Sequence, residues 1–328
     1  MKILYILVSS PSDYYYEQAL LSIMSAKYKM PGMSISLLID NDTKKYLEGS
    51  RSKILELVNE FQVIEFENSV NPMIRSRSLK TMMREYVEGD FLYVDVDTLW
   101  VNPIDESDFY TDVMGVPDAH VELLKHPCYD YIKKEHSKLG FDLKGQSYLN
   151  GGVLYLKDSC SAHEFMKDWN EYWKYSCEKG IPTDQKSLNY VVSKNNCLVG
   201  LLPNCYNVQI SYTIRHLLSA KLIHYFGSAK NQDESKLFFE LQKRSFWKKI
   251  KESDRCFDLM RDVVKCPEKY FSTSMVLLDA ECEYAKHPSY GLLCDIIKSK
   301  NKRAKIFLKI LDYTFFMFVR ILNLFKIN

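Results

Sequence analysis

Two aspartates that follow a hydrophobic run are the residues of this chain best suited to chemistry. The apolar run 91–94 predicts a buried strand, and Asp95 and Asp97 follow where that strand should end, two residues apart and so on one side of an extended chain. Neighbouring carboxylates repel each other unless a cation joins them, and oxygen ligands suit Mg²⁺ or Mn²⁺. Open α/β sheets bind ligands beyond the carboxyl ends of their strands, so the pair predicts a divalent-metal site for a phosphate-bearing substrate. The alternative is two acidic residues in an ordinary turn.

Two further segments carry polar groups that suit a substrate rich in hydroxyls. Asn150 opens an apolar strand and is followed by Gly151 and Gly152. Paired glycines let a ligand approach the backbone closely, and we expect the Asn150 amide to remain free for hydroxyl groups. Asp184 and Gln185 stand at a predicted helix start, where they could hydrogen-bond the same substrate. Taken alone, the first segment also fits a plain turn and the second fits charge stabilisation of a helix N-terminus.

A histidine near the end of the last predicted strand could complete the site. His224 is followed by Gly227 and Lys230. An imidazole is a good ligand for Mn²⁺, glycine allows a tight loop, and the lysine could neutralise a phosphate. A single histidine after an apolar strand also has an ordinary structural interpretation.

The order of the predicted elements favours an α/β fold. Strands are predicted at 3–8, 33–39, 62–66, 91–96, 113–116, 148–156 and 221–226, and helices at 14–28, 44–61, 75–87, 163–178 and 183–192. Strands that alternate with helices indicate a mainly parallel sheet with helices on both faces, which is a nucleotide-binding type of architecture. The chain has no glycine-rich phosphate loop, so phosphate would have to be held by metal and side chains.

The composition is that of a globular protein with an unevenly placed charge. The 328 residues are 46% hydrophobic and 26% charged, and the net charge of +2 excludes a general polyanion binder, so no nucleic-acid partner is expected. Residues 296–328 carry eight basic residues and one acidic residue, a local charge of +7 that suggests an acidic surface as partner. Nine cysteines without a C-x-x-C spacing predict reduced thiols in the cytoplasm.

The last 24 residues, 305–328, form a distinct amphipathic segment. Charged and polar residues fall at helical spacing on one side, and Ile, Leu, Phe, Met and Val occupy the other. Five charges argue against a membrane-spanning helix. The pattern predicts a helix in the interface of an anionic membrane, on the inner face of the cytoplasmic membrane. The alternatives are a helix that covers the protein's own core and an oligomer contact.

Taken together and in this order, the segments resemble the retaining glycosyltransferases of family 8, which include glycogenin and bacterial lipopolysaccharide galactosyltransferases. The resemblance spans roughly residues 1–232. Its matching pieces are the strand Leu4 to Val8, Tyr93-Val94-Asp95-Val96-Asp97, Val116-Pro117-Asp118, Asn150-Gly151-Gly152-Val153, Asp184-Gln185 with Leu188-Asn189, and His224-Tyr225-x-Gly227-x-x-Lys230. The family has the GT-A fold, a donor that is usually a UDP-sugar, and Mn²⁺ or Mg²⁺ as cofactor.

The resemblance implies a role for each matching residue. The metal ligands would be Asp95, Asp97 and His224. The residues facing the sugars would be Asn150, Gly151 and Gly152, and those at the reacting side of the donor sugar would be the catalytic pair Asp184 and Gln185. Lys230 would touch the donor diphosphate, Gly227 would let its loop turn tightly, and the nucleoside would meet Ser9 and Asp13. The arginines of the helix before the metal strand lie near, but not in register with, the donor-binding arginine of the family. We predict Arg77 and Lys80 near the donor phosphates, and the alternative is solvated charge on a helix. Asn231-Gln232 replaces the Pro-Trp usual after the lysine, so this loop is expected to close differently.

The resulting prediction is a metal-dependent hexosyltransferase. It would move a hexose, galactose or glucose, from a UDP-sugar to a saccharide or lipid-linked acceptor with retention, in lipopolysaccharide, O-antigen or capsule synthesis. Residues 1–232 would be the GT-A catalytic domain, 233–304 a helical accessory segment and 305–328 the membrane-interface helix.

Two alternatives remain open at this point. One is a catalytically inactive GT-A-like module that binds carbohydrate. The other is a phosphatase of the haloacid dehalogenase type, in which the motif normally lies on the first strand and has Thr or Val where this chain has Leu99.

Overall fold

The computed structural model describes residues 1–143, 147–195, 198–226, 233–271, 291–293, 295–296 and 302–324. The chain divides into two compact units, Met1–Val276 and Leu277–Asn328. The strands are β1 (Lys2–Leu7), β2 (Ser34–Asp40), β3 (Glu60–Ile64), β4 (Phe91–Val94), β5 (Thr98–Trp100), β6 (Val113–Pro117), β7 (Leu149–Leu156), β8 (Val199–Leu201), β9 (Val208–Gln209) and β10 (Leu222–His224). The α-helices of the first unit are α1 (Tyr15–Lys29), α2 (Asn41–Lys45), α3 (Lys53–Leu57), α4 (Pro72–Thr81), α5 (Met83–Tyr86), α6 (Tyr129–Lys138), α7 (Cys160–Glu178), α8 (Asp184–Lys194), α9 (Arg244–Glu252) and α10 (Cys256–Lys265). The second unit contains α11 (Lys302–Leu324).

Seven of the described strands form one mixed sheet in the order β3-β2-β1-β4-β7-β6-β8. The pairs are parallel except those of β7, which runs antiparallel to both β4 and β6. Three short strands form a second sheet in the order β5-β10-β9. The predicted fold class, an α/β protein with a mainly parallel sheet, is confirmed.

Helices cover both faces of the large sheet, as predicted. Successive residues of β1 point to opposite faces of the sheet, as in any β-strand. Tyr5 packs in a core with α1, α9 and α10, whereas Leu4 packs in a second core with α4, α7 and α8. Both strand residues are fully buried, which explains why the run reads as continuously apolar.

The aspartate motif lies where the chain passes from the large sheet to the small one. The strand predicted at 91–96 ends earlier, at Val94, and β5 begins at Thr98. Asp95 N–H still donates to the Gly152 carbonyl of β7 at 2.8 Å, and the Thr98 hydroxyl donates to the Asp95 carbonyl at 2.8 Å. These bonds fix the crossing, so both aspartates lie in a bend at the carboxyl end of β4.

Two sequence predictions of local structure were wrong. The helix predicted at 44–61 is not continuous: α2 ends at Lys45, a 3₁₀ helix spans Gly49–Ser52, α3 ends at Leu57, and residues from Glu60 onward join the sheet as β3. The sequence predicted no helix or strand between 117 and 147, and this segment contains α6. Tertiary contacts stabilise both short helices, because Ile54 of α3 packs in the main core and Ile132 of α6 packs with Leu123 and Tyr148.

Helices α9 and α10 belong to the core of the first unit. Trp247 of α9 is fully buried, its indole N–H donates to the Leu241 carbonyl at 2.8 Å, and its ring stacks on Tyr225 at 5.8 Å between centroids. Tyr225 follows His224 directly along the chain. The segment after residue 232 therefore supports the strand that ends at His224.

Replacing Trp247 by alanine should lower the free energy of unfolding by about 3–5 kcal/mol, because it empties a large buried site. The control is Leu218→Ala, at a side chain that is 56% exposed, with an expected change within about 0.5 kcal/mol. Urea unfolding monitored by circular dichroism measures both. Equal midpoints for the two variants would show that α9 contributes nothing to this core.

Candidate active site

Three predicted metal ligands converge at one place. One ligand atom each from Asp95, Asp97 and His224 lie within 4.8 Å of one another. His224 Nε2 lies 3.2 Å from Asp97 Oδ1, and the residue His224 is 2% exposed. The small sheet produces this contact, because β10 pairs antiparallel with β5 and sets His224 opposite Thr98.

The charges of this cluster depend on one another. Burial by itself would lower the pKa of His224, but the nearby Asp97 and Asp95 carboxylates outweigh it and raise the pKa. Burial would likewise raise the pKa of Asp95, but Lys80 and His224 outweigh it and lower the pKa. The Asp95 carboxylate is therefore stabilised as an anion by the positive charge around it. Two carboxylates and an imidazole are a suitable donor set for Mn²⁺ or Mg²⁺.

Gly152 leaves the space that this cluster occupies. A Cβ at Gly152 would lie 2.5 Å from His224 Cε1, 2.9 Å from Asp95 Oδ2 and 2.9 Å from Asn150 Oδ1. No side chain fits there without moving a candidate ligand. The glycine predicted to face a ligand thus lies beside the metal cluster itself.

A second charge cluster adjoins the first. Lys80 Nζ lies 3.3 Å from Asp95 Oδ1 and 3.2 Å from Asp184 Oδ2, and Arg77 Nε lies 3.0 Å from Asp184 Oδ1. Burial would raise the pKa of Asp184, but Lys80 and Arg77 outweigh it and lower the pKa to about 2. Asp184 is therefore an anion at neutral pH. Lys80 is buried and links the metal cluster to the predicted catalytic pair.

Gln185 lies beside the same cluster, and its Oε1 accepts a hydrogen bond from Gly151 N–H at 3.1 Å. A Cβ at Gly151 would lie 3.5 Å from Lys80 Nζ and 3.7 Å from Gln185 Oε1. The structure therefore brings Gly151, Lys80, Asp184 and Gln185 together next to Asp95.

A cleft of about 560 Å³ opens beside the aspartates. Its walls include Ser9, Asp13, Arg77, Asp95 and Asp97. The cleft joins the carboxyl ends of β1, β2 and β4, which is the position that open α/β sheets use for ligands.

The Ser9 loop has a well-defined internal structure on one side of this cleft. Ser9 Oγ donates to Asp13 Oδ1 at 2.7 Å, and Ser10 N–H donates to Asp13 Oδ2 at 2.7 Å. Arg51 Nη2 donates to Ser9 Oγ at 3.2 Å. The Asp13 carboxylate is thus used to shape its own loop.

Asn150 differs from the sequence expectation of a free amide. Its Nδ2 donates to Asp118 Oδ1 at 2.8 Å, and its Oδ1 accepts from Gly152 N–H and from Asn207 Nδ2, each at 3.0 Å. Asn150 is 6% exposed. Because a buried polar group is stabilised by partners, this amide belongs to the frame of the site. Gly227 and Lys230, predicted at the donor diphosphate, lie outside the described residues.

Two polar partners of the candidate ligands were not predicted from the sequence. The Tyr93 hydroxyl donates to Asp95 Oδ1, and its position two residues earlier on the same face of the chain was a usable signal. Asn207 Oδ1 lies 3.0 Å from His224 Nδ1. Nothing in the sequence around Asn207 indicated this contact, since the residue lies in a connection between short elements.

No protein-family model and no curated protein matches this chain. Among solved structures, the apo form of mouse xyloside xylosyltransferase 1 is similar, with a TM-score of 0.43 and 12% sequence identity over 68% of this chain and 97% of that chain.

Gly152→Ala should weaken Mn²⁺ binding by about 10-fold or more, because the new methyl group displaces His224 or Asp95. Calorimetric titration with MnCl₂ measures this. The control is Gly32→Ala, where a Cβ meets nothing within 4 Å and affinity should not change. Unchanged affinity in Gly152→Ala would contradict the assigned cluster.

Proposed function

We propose that this protein is a metal-dependent glycosyltransferase of the GT-A type that uses a nucleotide-diphosphate sugar. The observation that carries the proposal is the meeting of Asp95, Asp97 and His224 beside a large cleft at the carboxyl end of the sheet. Two segments that are distant in sequence supply the three ligands: the bend between β4 and β5, and the end of β10. A donor with a diphosphate suits the site, because its charge needs a divalent cation and its nucleoside needs a cleft.

The cluster would hold one divalent ion, with Mn²⁺ or Mg²⁺ as the candidates. A bound ion of this kind supplies Lewis-acid stabilisation of the charge on a diphosphate. Asp95 and Asp97 would bring the negative charge that binds it, and His224 would supply a neutral nitrogen ligand through Nε2.

The donor would lie along the cleft from the aspartates toward the Ser9 loop. Arg77 lies on the cleft wall with a side chain that is 35% exposed, so its guanidinium can reach a phosphate oxygen while it remains close to Asp184. The nucleoside would rest against Ser9 and Asp13. Lys230 is proposed to contact the donor diphosphate, and Gly227 to let its loop turn tightly.

The reacting sugar would lie next to Asp184 and Gln185. Asp184 is ionised, so it cannot protonate a leaving group, and its charge would favour a positive anomeric carbon. An acceptor hydroxyl then attacks this carbon, the sugar–phosphate bond breaks, and the hydroxyl proton passes to the departing phosphate oxygen. Attack from the side of the leaving group would give retention. It is favoured because the Gln185 amide is a poor covalent nucleophile and both carboxylate oxygens of Asp184 are paired with Arg77 and Lys80.

We further propose a UDP-hexose, with galactose or glucose as the sugar, and a saccharide or lipid-linked acceptor of lipopolysaccharide, O-antigen or capsule synthesis. Both follow from the resemblance of residues 1–232 to family 8. The cluster and the cleft are compatible with this donor. A panel of UDP-sugars and GDP-sugars, scored by release of nucleoside diphosphate, identifies the donor.

Asp97→Asn should reduce Mn²⁺-dependent release of UDP from the preferred UDP-sugar by at least about 100-fold, the scale of losing one group that stabilises transition-state charge. The matched control is Asp130→Asn, at an exposed aspartate of α6, which should retain wild-type turnover. A coupled UDP assay with and without EDTA measures both.

Three outcomes would redirect the assignment. Near-normal turnover of Asp97→Asn would refute the metal site. Binding of sugar without any turnover by the wild type would favour a carbohydrate-binding module. Release of phosphate from simple esters would favour a phosphatase of the haloacid dehalogenase type.

We also propose that α11 lies in the interface of an anionic membrane. No helix in the described part of the chain has the length and apolarity needed to cross a membrane. Ile306, Ile310, Tyr313 and Met317 are exposed and recur at the spacing of one helix face, and the region carries the basic excess of residues 296–328. An apolar stripe with nearby basic residues is typical of interfacial helices.

Ile306→Glu combined with Ile310→Glu should reduce binding to vesicles that contain phosphatidylglycerol at least about 10-fold, because it places two charges in the apolar stripe. Vesicle co-sedimentation measures the bound fraction. Leu124→Glu with Leu218→Glu is the control, because both leucines are exposed on the first unit and the net charge changes equally. Equal loss in both double variants would show a charge effect alone, and no loss in the first would contradict the proposal.

A further inference from the structure

A buried chain of hydrogen bonds leads to the face of His224 that points away from the two aspartates. Asn207, which precedes β9, is fully buried and lies between His224 and Asn150. Its Oδ1 is 3.0 Å from His224 Nδ1, and its Nδ2 is 3.0 Å from Asn150 Oδ1. The chain continues from Asn150 Nδ2 to Asp118 Oδ1 at 2.8 Å.

The donor and the acceptor of each hydrogen bond in this series follow from backbone N–H groups, which can only donate. The backbone N–H of Cys128 donates to His126 Nδ1 at 3.0 Å, so His126 Nε2 carries the proton and donates to Asp118 Oδ2 at 3.0 Å. The backbone N–H of Gly152 can only donate, and it donates to Asn150 Oδ1 at 3.0 Å. Asn150 Nδ2 is therefore the end of the amide that faces Asp118, and it donates to Asp118 Oδ1.

The same logic fixes the amide of Asn207 and the ring of His224. Asn207 Nδ2 donates to Asn150, so Asn207 Oδ1 faces His224 as an acceptor. His224 Nδ1 must therefore carry a proton. In the neutral ring this leaves the lone pair on Nε2, the atom that lies 3.2 Å from Asp97 Oδ1.

We propose that Asn207 is a positioning residue that holds the neutral His224 imidazole in the Nδ1–H tautomer, so that Nε2 is available to a divalent cation. This inference rests on the proposed metal site. Ligating histidines commonly donate their other nitrogen to such a partner, and losing it costs about 10–100-fold in metal affinity. The same hydrogen bonds connect the small sheet to the large one, because Asp118 follows β6 and Asn150 lies in β7.

The test combines ¹⁵N NMR of histidine-labelled, metal-free protein with calorimetric Mn²⁺ titration. Spectra are recorded at a pH high enough for the ring to be neutral, and the His224 signals are assigned by their loss in His224→Gln. The wild type should show protonated Nδ1 and unprotonated Nε2. Asn207→Ala should lose this preference and bind Mn²⁺ about 10–100-fold more weakly.

The matched control is Asn204→Ala, three residues earlier, where the amide contacts His216 Nε2 at 3.1 Å instead of His224. It should retain both the tautomer and the Mn²⁺ affinity. Thermal melting reports whether each variant folds, and Asn207→Leu, which keeps more of the volume, is the substitute if Asn207→Ala does not.

The outcomes separate this inference from the proposed function. A wild-type protein that does not bind Mn²⁺ overturns the metal site. If the wild type binds Mn²⁺ but its neutral His224 ring is protonated at Nε2, Asn207 does not have the proposed role, whether or not an Asn207 variant folds. Mn²⁺ affinity within about twofold of wild type in a folded Asn207 variant overturns it as well, with the metal site intact.

Discussion

The central constraint of this structure is the repulsion between two carboxylates that lie in a bend at the end of a buried strand. Asp95 and Asp97 would be costly neighbours in a site of low polarity. Their surroundings compensate: Lys80 contacts Asp95 at 3.3 Å, His224 contacts Asp97 at 3.2 Å, and the Tyr93 hydroxyl donates to Asp95. A divalent cation would supply the same compensation more strongly, which is the physical basis of the proposed function.

The small sheet brings His224 next to the two aspartates. The chain leaves the large sheet after Val94 and turns through the two aspartates into β5, and β10 pairs with β5 from a point more than 100 residues later. Trp247 and Tyr225 pack behind this strand. The geometry of the candidate ligands therefore depends on core packing far along the chain, and on Gly152, where a side chain has no room.

Much of this arrangement could be predicted from the sequence, because it follows from general rules of strand ends. Apolar runs identified the central strands, and polar residues at their ends identified the two aspartates and His224. The hydrogen bonds behind His224 could not be predicted, because Asn207 meets His224 and Asp118 meets Asn150 through side-chain contacts between distant segments. The amide of Asn150 was wrongly expected to be free for the same reason. The helix predicted at 44–61 is wrong because α2 ends at Lys45 and residues from Glu60 onward pair with β2.

The central claim is that these three side chains hold one divalent ion, and pulsed electron paramagnetic resonance of Mn²⁺ bound to ¹⁵N-histidine-labelled protein tests it most directly. The account predicts hyperfine coupling from one histidine nitrogen to the bound Mn²⁺, and loss of that coupling in His224→Gln. Bound Mn²⁺ without histidine coupling, or coupling that persists in His224→Gln, would contradict it.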